Sequence, residues 1–184
     1  MNFERYTLDS LHTDQSGIYL KYFYISIILF ISIFAVDLYL NDDLTRQYLA
    51  QFILGFGIGM LLIFIHEGIH ALGFLYFGYS SIKFKSEISK GLWMTYVDSK
   101  VAPHHLKVVA LLPFFVISIC MVIMMLTFPQ FRFIFYGTIL MHVSYCKGDF
   151  ILASFIKKDE KNINSIQFDQ STKTLIVNRV STDK

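Results

Sequence analysis

Four long apolar runs dominate the sequence and decide what it can fold into. They cover residues 19–40, 49–78, 106–128 and 131–156. A helix needs about 20 mostly apolar residues to cross the hydrocarbon core of a bilayer, and each run reaches that length. The runs are too uniformly apolar for the alternating strands of a membrane barrel. They predict an all-α polytopic membrane protein with four transmembrane helices.

The composition agrees with a membrane protein. Hydrophobic residues make up 54% of the chain and charged residues only 16%, and the mean hydropathy is +0.51, which excludes most water-soluble classes. Both cysteines, Cys120 and Cys146, lie inside apolar runs, so a disulfide framework of the secreted type is excluded. The basic residues flank the runs, and we therefore expect a lipid bilayer around the chain and no nucleic-acid partner.

The distribution of basic residues predicts the orientation. If the N-terminal segment, the loop 79–105 and the C-terminal tail share one side, that side holds thirteen basic residues. The opposite side holds two, Arg46 and Arg132. Loops rich in Lys and Arg stay in the cytoplasm, so both termini are predicted to be cytoplasmic in a multi-pass protein of the cell membrane. The thirteen are Arg5, Lys21, Lys83, Lys85, Lys90, Lys100, Lys107, Lys157, Lys158, Lys161, Lys173, Arg179 and Lys184.

The predicted organisation is one membrane-embedded domain, residues 19–156, between a short N-terminal segment, 1–18, and a tail, 157–184. In the loop 79–105, apolar and polar residues alternate on both sides of Ser89-Lys90-Gly91, which predicts a β-hairpin. We expect its Trp93 and Tyr96 to lie at the level of the lipid headgroups. The tail shows a weaker alternation in SIQF and TLIV and is expected to be β-like.

The second apolar run contains an HExxH motif, His66-Glu67-Gly68-Ile69-His70. Residues four apart lie on one face of a helix, so His66 and His70 can both direct a ring nitrogen at one zinc ion. Glu67 is the residue that such sites use as a general base on zinc-bound water. A charged residue at the centre of a membrane helix costs about 2.5 kcal/mol or more. A bound cation would offset that cost, so the motif predicts a metal site.

Depth in the membrane indicates a third ligand, because catalytic zinc usually has three protein ligands and one open position. His70 lies eight residues before the end of the second run, and Asp149 lies seven residues before the end of the fourth. Both runs are expected to cross the membrane in the same direction, toward the side of the C-terminal tail. At about 1.5 Å per residue the two are nearly level, which makes Asp149 the predicted ligand. His142 and Cys146, on the same run, would by coordination chemistry serve zinc as well as a carboxylate, but they lie further out. His142 is a candidate for a supporting role beside the metal or, alternatively, a buried histidine of the bundle core.

Two further features concern helix packing. Gly55, Gly57 and Gly59 precede the motif and are expected to permit close approach of another helix. Pro113 lies within the third run, where it should free a backbone carbonyl and kink the helix.

The sequence resembles a small bacterial family of membrane zincin peptidases, relatives of the site-2 proteases. The resemblance extends over roughly residues 50–160 and rests on HEGIHALGF, VAPHHLKVVALLPFF and KGDF. In these proteins two histidines and a distal aspartate bind zinc and the glutamate is the catalytic base. The resemblance gives those roles to His66, His70, Asp149 and Glu67. Site-2 proteases commonly carry Leu-Asp-Gly around the aspartate, whereas this chain has Gly-Asp-Phe.

The resulting hypothesis is a zinc-dependent intramembrane peptidase of the site-2-protease type. It would hydrolyse a peptide bond in or near a membrane segment of a protein or peptide substrate. The alternative is a non-catalytic metal-binding membrane protein, either a pseudoprotease or a metal carrier. A carrier would require polar residues along a path through the bilayer, and apart from His142 the outer halves of the runs offer few.

Overall fold

The computed structural model describes residues 3–7, 18–40, 46–87, 92–169 and 174–179. Within these residues, four helices are long and apolar enough to cross a membrane. They are α1 (Ile18–Leu40), α2 (Arg46–Tyr76), α3 (Pro103–Thr127) and α4 (Arg132–Asp159). A 3-10 turn, Pro129–Phe131, leads into α4. Each of the four predicted spans is confirmed as a long apolar helix, with ends that differ by three residues or fewer.

The outward faces of the helices are apolar, as lipid contact requires. Ile28, Leu61 and Leu126 are 65%, 66% and 77% exposed, and many other large apolar side chains are exposed as well. Such a large apolar surface is unfavourable in water and favourable in the hydrocarbon core of a bilayer. The helices differ in how deeply they are buried. In the most apolar 18-residue stretch of each helix, 6% of the residues of α1 are buried inside the protein, compared with 50% of those of α4. Helix α4 is therefore the centre of the bundle.

Helices α2 and α4 approach so closely that only glycine fits between them. A Cβ atom on Gly55 would lie 2.0 Å from the carbonyl oxygen of Ile134, and one on Gly137 would lie 2.3 Å from that of Phe52. The Thr138 hydroxyl donates a hydrogen bond of 2.9 Å to the Gly55 carbonyl across the same contact. The predicted packing role is thus confirmed for Gly55. It is wrong for Gly57, where a Cβ atom would meet nothing within 4 Å.

The loop between α2 and α3 forms the predicted hairpin. Strands β2 (Ile82–Glu87) and β3 (Leu92–Val97) pair antiparallel. The predicted turn at Ser89-Lys90-Gly91 and the Trp93 side chain lie outside the described part of the structure. The Tyr96 side chain does not face outward: it is 5% exposed and packs on Phe168, with ring centroids 4.9 Å apart. Its expected position at the level of the headgroups stays a prediction.

The tail forms β4 (Ile163–Asp169) and β5 (Thr174–Arg179), as expected, but in a larger sheet than the sequence suggested. A strand at the N-terminus, β1 (Phe3–Thr7), pairs antiparallel with β5, which gives the order β1-β5-β4. Backbone hydrogen bonds of 2.7 and 2.9 Å between Val101 and Ile166 attach the α2–α3 loop to β4.

These contacts place the N-terminal strand, the hairpin loop and the tail at one end of the helix bundle. An ionic cluster connects the sheet to α4, since Arg179 of β5 pairs with Glu4 of β1 and with Asp159 at the end of α4. The hydrogen bond from Tyr6, together with Arg179, lowers the pKa of the Glu4 carboxyl below 4.5. The arrangement agrees with one shared side, although Lys90, Lys173 and Lys184 lie outside the described residues. That this side is cytoplasmic stays a prediction.

Candidate metal centre

The HExxH motif lies in the inner half of α2, the half nearer the sheets, and it is buried. His66, Glu67 and His70 are 3%, 8% and 7% exposed. Their positions on consecutive turns bring the two rings together, with the two Nε2 atoms 3.1 Å apart. The helix thus presents both imidazoles to one point inside the bundle, as their spacing predicts.

Asp149 reaches the same point from α4. Its Oδ2 lies 3.2 Å from His66 Nε2 and its Oδ1 lies 3.4 Å from His70 Nε2. The structure therefore brings together the three residues that the sequence proposed as ligands, from two helices that are not adjacent in sequence. The depth count correctly placed Asp149 level with the histidines.

The spacing of these atoms fits a zinc ion. Ligands at about 2.0 to 2.2 Å from a tetrahedral zinc lie about 3.3 to 3.6 Å from one another. The three observed separations of 3.1, 3.2 and 3.4 Å are within a few tenths of an ångström of that range. Despite its proximity to His66, Asp149 Oδ2 has no hydrogen-bond partner in the described part of the chain. The donor set, two imidazoles and a carboxylate, is one that zinc accepts.

The position of the proton on the His70 ring is a second reason to expect a cation at this point. His70 Nδ1 lies 2.9 Å from the backbone carbonyl of Val109. A carbonyl oxygen only accepts, so Nδ1 must carry the hydrogen, and Nε2 of the neutral ring then has none. That bare nitrogen faces the Asp149 carboxylate at 3.4 Å. Two acceptors in this position repel each other unless a proton or a metal ion lies between them.

Glu67 lies beside this point. Its carboxylate belongs to a group with His66 and His70 whose ligand atoms all lie within 4.8 Å of one another. The Thr95 hydroxyl, from β3, contacts it: Thr95 Oγ1 lies 2.7 Å from Glu67 Oε2 and 3.1 Å from the Glu67 carbonyl. The hairpin thus packs over the motif and supplies a hydrogen-bond donor to the carboxylate.

Thr95 is a site residue that the sequence did not predict. The sequence pattern of β3 could have indicated it. Residues 93, 95 and 97 share one face of the strand, and Thr95 is the polar residue between Trp93 and Val97. Thr95 and Val97 are both buried, at 9% and 2% exposure. A polar residue on a buried face of a strand needs a partner, and here that partner comes from α2.

His142 and Cys146 form a neighbouring group. Both are 0% exposed, and Cys146 Sγ lies 3.6 Å from His142 Nε2. Together with His66 their ligand atoms lie within 4.8 Å of one another, so His66 belongs to both groups. The ring centroids of His66 and His142 are 5.6 Å apart. His142 therefore adjoins the centre, whereas the Asp149 carboxylate lies within 3.4 Å of both imidazoles of the HExxH motif.

Comparison with known protein families gives a match over the centre of the chain. A family model described as "Putative zincin peptidase" matches residues 59–163, more than half of the 184 residues. The matched segment contains the HExxH motif, the hairpin, α3 and Asp149. No curated protein and no solved structure matches the chain.

Proposed function

Because the chain belongs to the zincin peptidase family, we propose that it is a zinc-dependent intramembrane peptidase, similar to the site-2 proteases. The observation that supports this most is the convergence of His66, His70 and Asp149 at separations suited to one zinc ion. The four helices are long and apolar enough to cross a membrane, which supports a site inside a membrane protein. The proposed substrate is a membrane protein or peptide, cut in or near a membrane segment.

In this proposal, a zinc ion held by His66, His70 and Asp149 would supply Lewis acidity to the site. Glu67 acts as the general base: it takes a proton from the attacking water and then gives it to the leaving amine. The Thr95 hydroxyl, 2.7 Å from Oε2, holds the carboxylate in one orientation. The low exposure of the site limits access of bulk water, which strengthens each of these polar interactions.

The hairpin is the proposed element that receives the substrate. A peptide bond must leave its helix before it can be attacked, because helical hydrogen bonds occupy the backbone groups. Strand β3 carries Thr95 against Glu67 and is one of only two strands in its sheet among the described residues. An extended substrate could add to this sheet through backbone hydrogen bonds. If the sheets are cytoplasmic, cleavage would occur toward the cytoplasmic side of a substrate helix.

The test compares the purified full chain with Glu67→Gln, in detergent or proteoliposomes. Metal analysis should find one zinc per chain in both proteins, because Glu67 is not among the proposed ligands. Cleavage of a set of membrane-segment peptides should fall at least about 100-fold in the variant, the usual contribution of a general base.

The possible results separate the candidate functions. A wild-type chain without zinc contradicts the metal site. A Glu67→Gln variant that cleaves at the wild-type rate contradicts the role of Glu67. Zinc binding in a chain that cleaves none of the peptides favours the alternative, a pseudoprotease.

A further inference from the structure

Helix α3 carries a backbone carbonyl that its own helix leaves free. In an α-helix the carbonyl of residue i accepts a hydrogen bond from the N–H of residue i+4. Four residues after Val109 stands Pro113, inside the helix, and proline has no N–H. Both residues are buried, so the Val109 carbonyl oxygen needs a partner from another part of the protein.

The partner is a proposed zinc ligand. His70 Nδ1 lies 2.9 Å from the Val109 oxygen. The two helices are close at this level, since a Cβ atom on Gly73, one turn after His70, would lie 3.1 Å from Val109 Cγ2. A third helix, which provides none of the three proposed ligands, thereby holds one of the two imidazole rings.

We infer that Pro113 is a positioning residue for the metal centre. By lacking an N–H, it reserves the Val109 carbonyl for His70. The hydrogen bond keeps the proton on Nδ1, fixes the orientation of the ring and leaves Nε2 to bind the metal. Partners of this kind to the second nitrogen of a ligating histidine typically raise metal affinity. The inference rests on the proposed zinc site and adds a role for α3 to it.

The variant that tests it is Pro113→Ala. Alanine restores an N–H that closes the helix onto the Val109 carbonyl and competes with His70. We expect zinc affinity, measured by competition with a chelator, to fall about 10- to 100-fold. The melting temperature of the metal-free variant should be equal to that of the wild type or higher, since the helix regains a hydrogen bond. A residue with only a structural role would not lower affinity while preserving stability.

The matched control is Pro129→Ala, which makes the same change in the 3-10 turn before α4. Its zinc affinity should equal that of the wild type. A Pro113→Ala protein that binds zinc as tightly as the wild type overturns the role of Pro113. A wild-type protein that binds no zinc instead contradicts the zinc site itself.

A second measurement does not depend on the folding of any variant. In the zinc-loaded wild-type protein, ¹⁵N NMR of labelled histidines should show His70 protonated at Nδ1 and metal-bound at Nε2. A His70 ring with its proton on Nε2 overturns the inference.

Discussion

The same two helices, α2 and α4, pack in different ways in their outer and inner halves. In the outer half, away from the sheets, glycine removes side chains and lets the backbones touch, as at Gly55 and Gly137. In the inner half, large polar side chains fill the space between the helices: His66, His70 and Asp149. The difference indicates that the two halves of the helix pair have different roles. Backbone contact in the outer half fixes the separation of the helices there. We expect this fixed separation to help bring the proposed ligands together in the inner half.

The largest effect is expected where the inner half loses a ligand. Asp149→Asn removes the carboxylate charge while keeping the size of the side chain. Loss of a supporting residue typically lowers metal affinity about 10- to 100-fold, so loss of a ligand should lower zinc affinity by more than about 100-fold.

A suitable control is Asp37→Asn, because Asp37 is also a carboxylate in the bundle but pairs with Arg132 at a distance of 2.9 Å. Its zinc affinity should be unchanged. Equal zinc affinity in Asp149→Asn and the wild type would show that the metal, if bound, uses other ligands, with His142 and Cys146 the nearest candidates.

The outer half can be perturbed without touching the site. In Gly55→Ala the new Cβ atom would lie 2.0 Å from the Ile134 carbonyl oxygen, so the backbones must separate. Such overpacking typically costs about 1 to 3 kcal/mol, which should lower the melting temperature in detergent and also weaken zinc binding.

Gly57→Ala is the matched control, because a Cβ atom there meets nothing within 4 Å. Alanine also favours a helix more than glycine does, so this variant should be as stable as the wild type or more stable. If Gly55→Ala lowers stability but leaves zinc affinity intact, the outer half stabilises the bundle without setting the geometry of the ligands.

The sequence was sufficient for features that depend on one segment or on depth in the membrane. Run length predicted the four spans, alternation predicted the hairpin and the tail strands, and residue counting placed Asp149 level with His70. Each of these follows from a regular rise per residue. Such counting works for helices long enough to cross a membrane, because each is expected to follow the same axis through it.

Features that depend on partners far away along the chain could not be predicted from the sequence. Strand β1 pairs with β5, some 170 residues away along the chain, and five residues of FERYT carry no local signal of that pairing. The three glycines before the motif look alike in the sequence. Gly55 faces α4 and Gly57 does not, because the orientation of α2 about its own axis turns only one of these two toward α4. Thr95 and Glu67 meet because the hairpin folds back over α2, which no spacing rule encodes.

Thr95 offers the mildest perturbation of the inner half, because it changes a contact of Glu67 and no proposed ligand. Thr95→Val keeps the shape of the side chain and removes the hydroxyl that donates to Glu67 Oε2. A hydrogen bond to a charged group contributes about 1.5 to 3 kcal/mol, and only part of it should be lost from the transition state. We expect the cleavage rate to fall about tenfold, with zinc affinity unchanged.

Thr95→Ser keeps the hydroxyl and should restore most of the rate. If Thr95→Val and Thr95→Ser were equally impaired, the packing of the hairpin and not the hydrogen bond would be the cause. Loss of zinc from Thr95→Val would mean that β3 supports the ligands as well as the base. In that case the inner half would depend on the sheet as much as on the outer half of the helix pair.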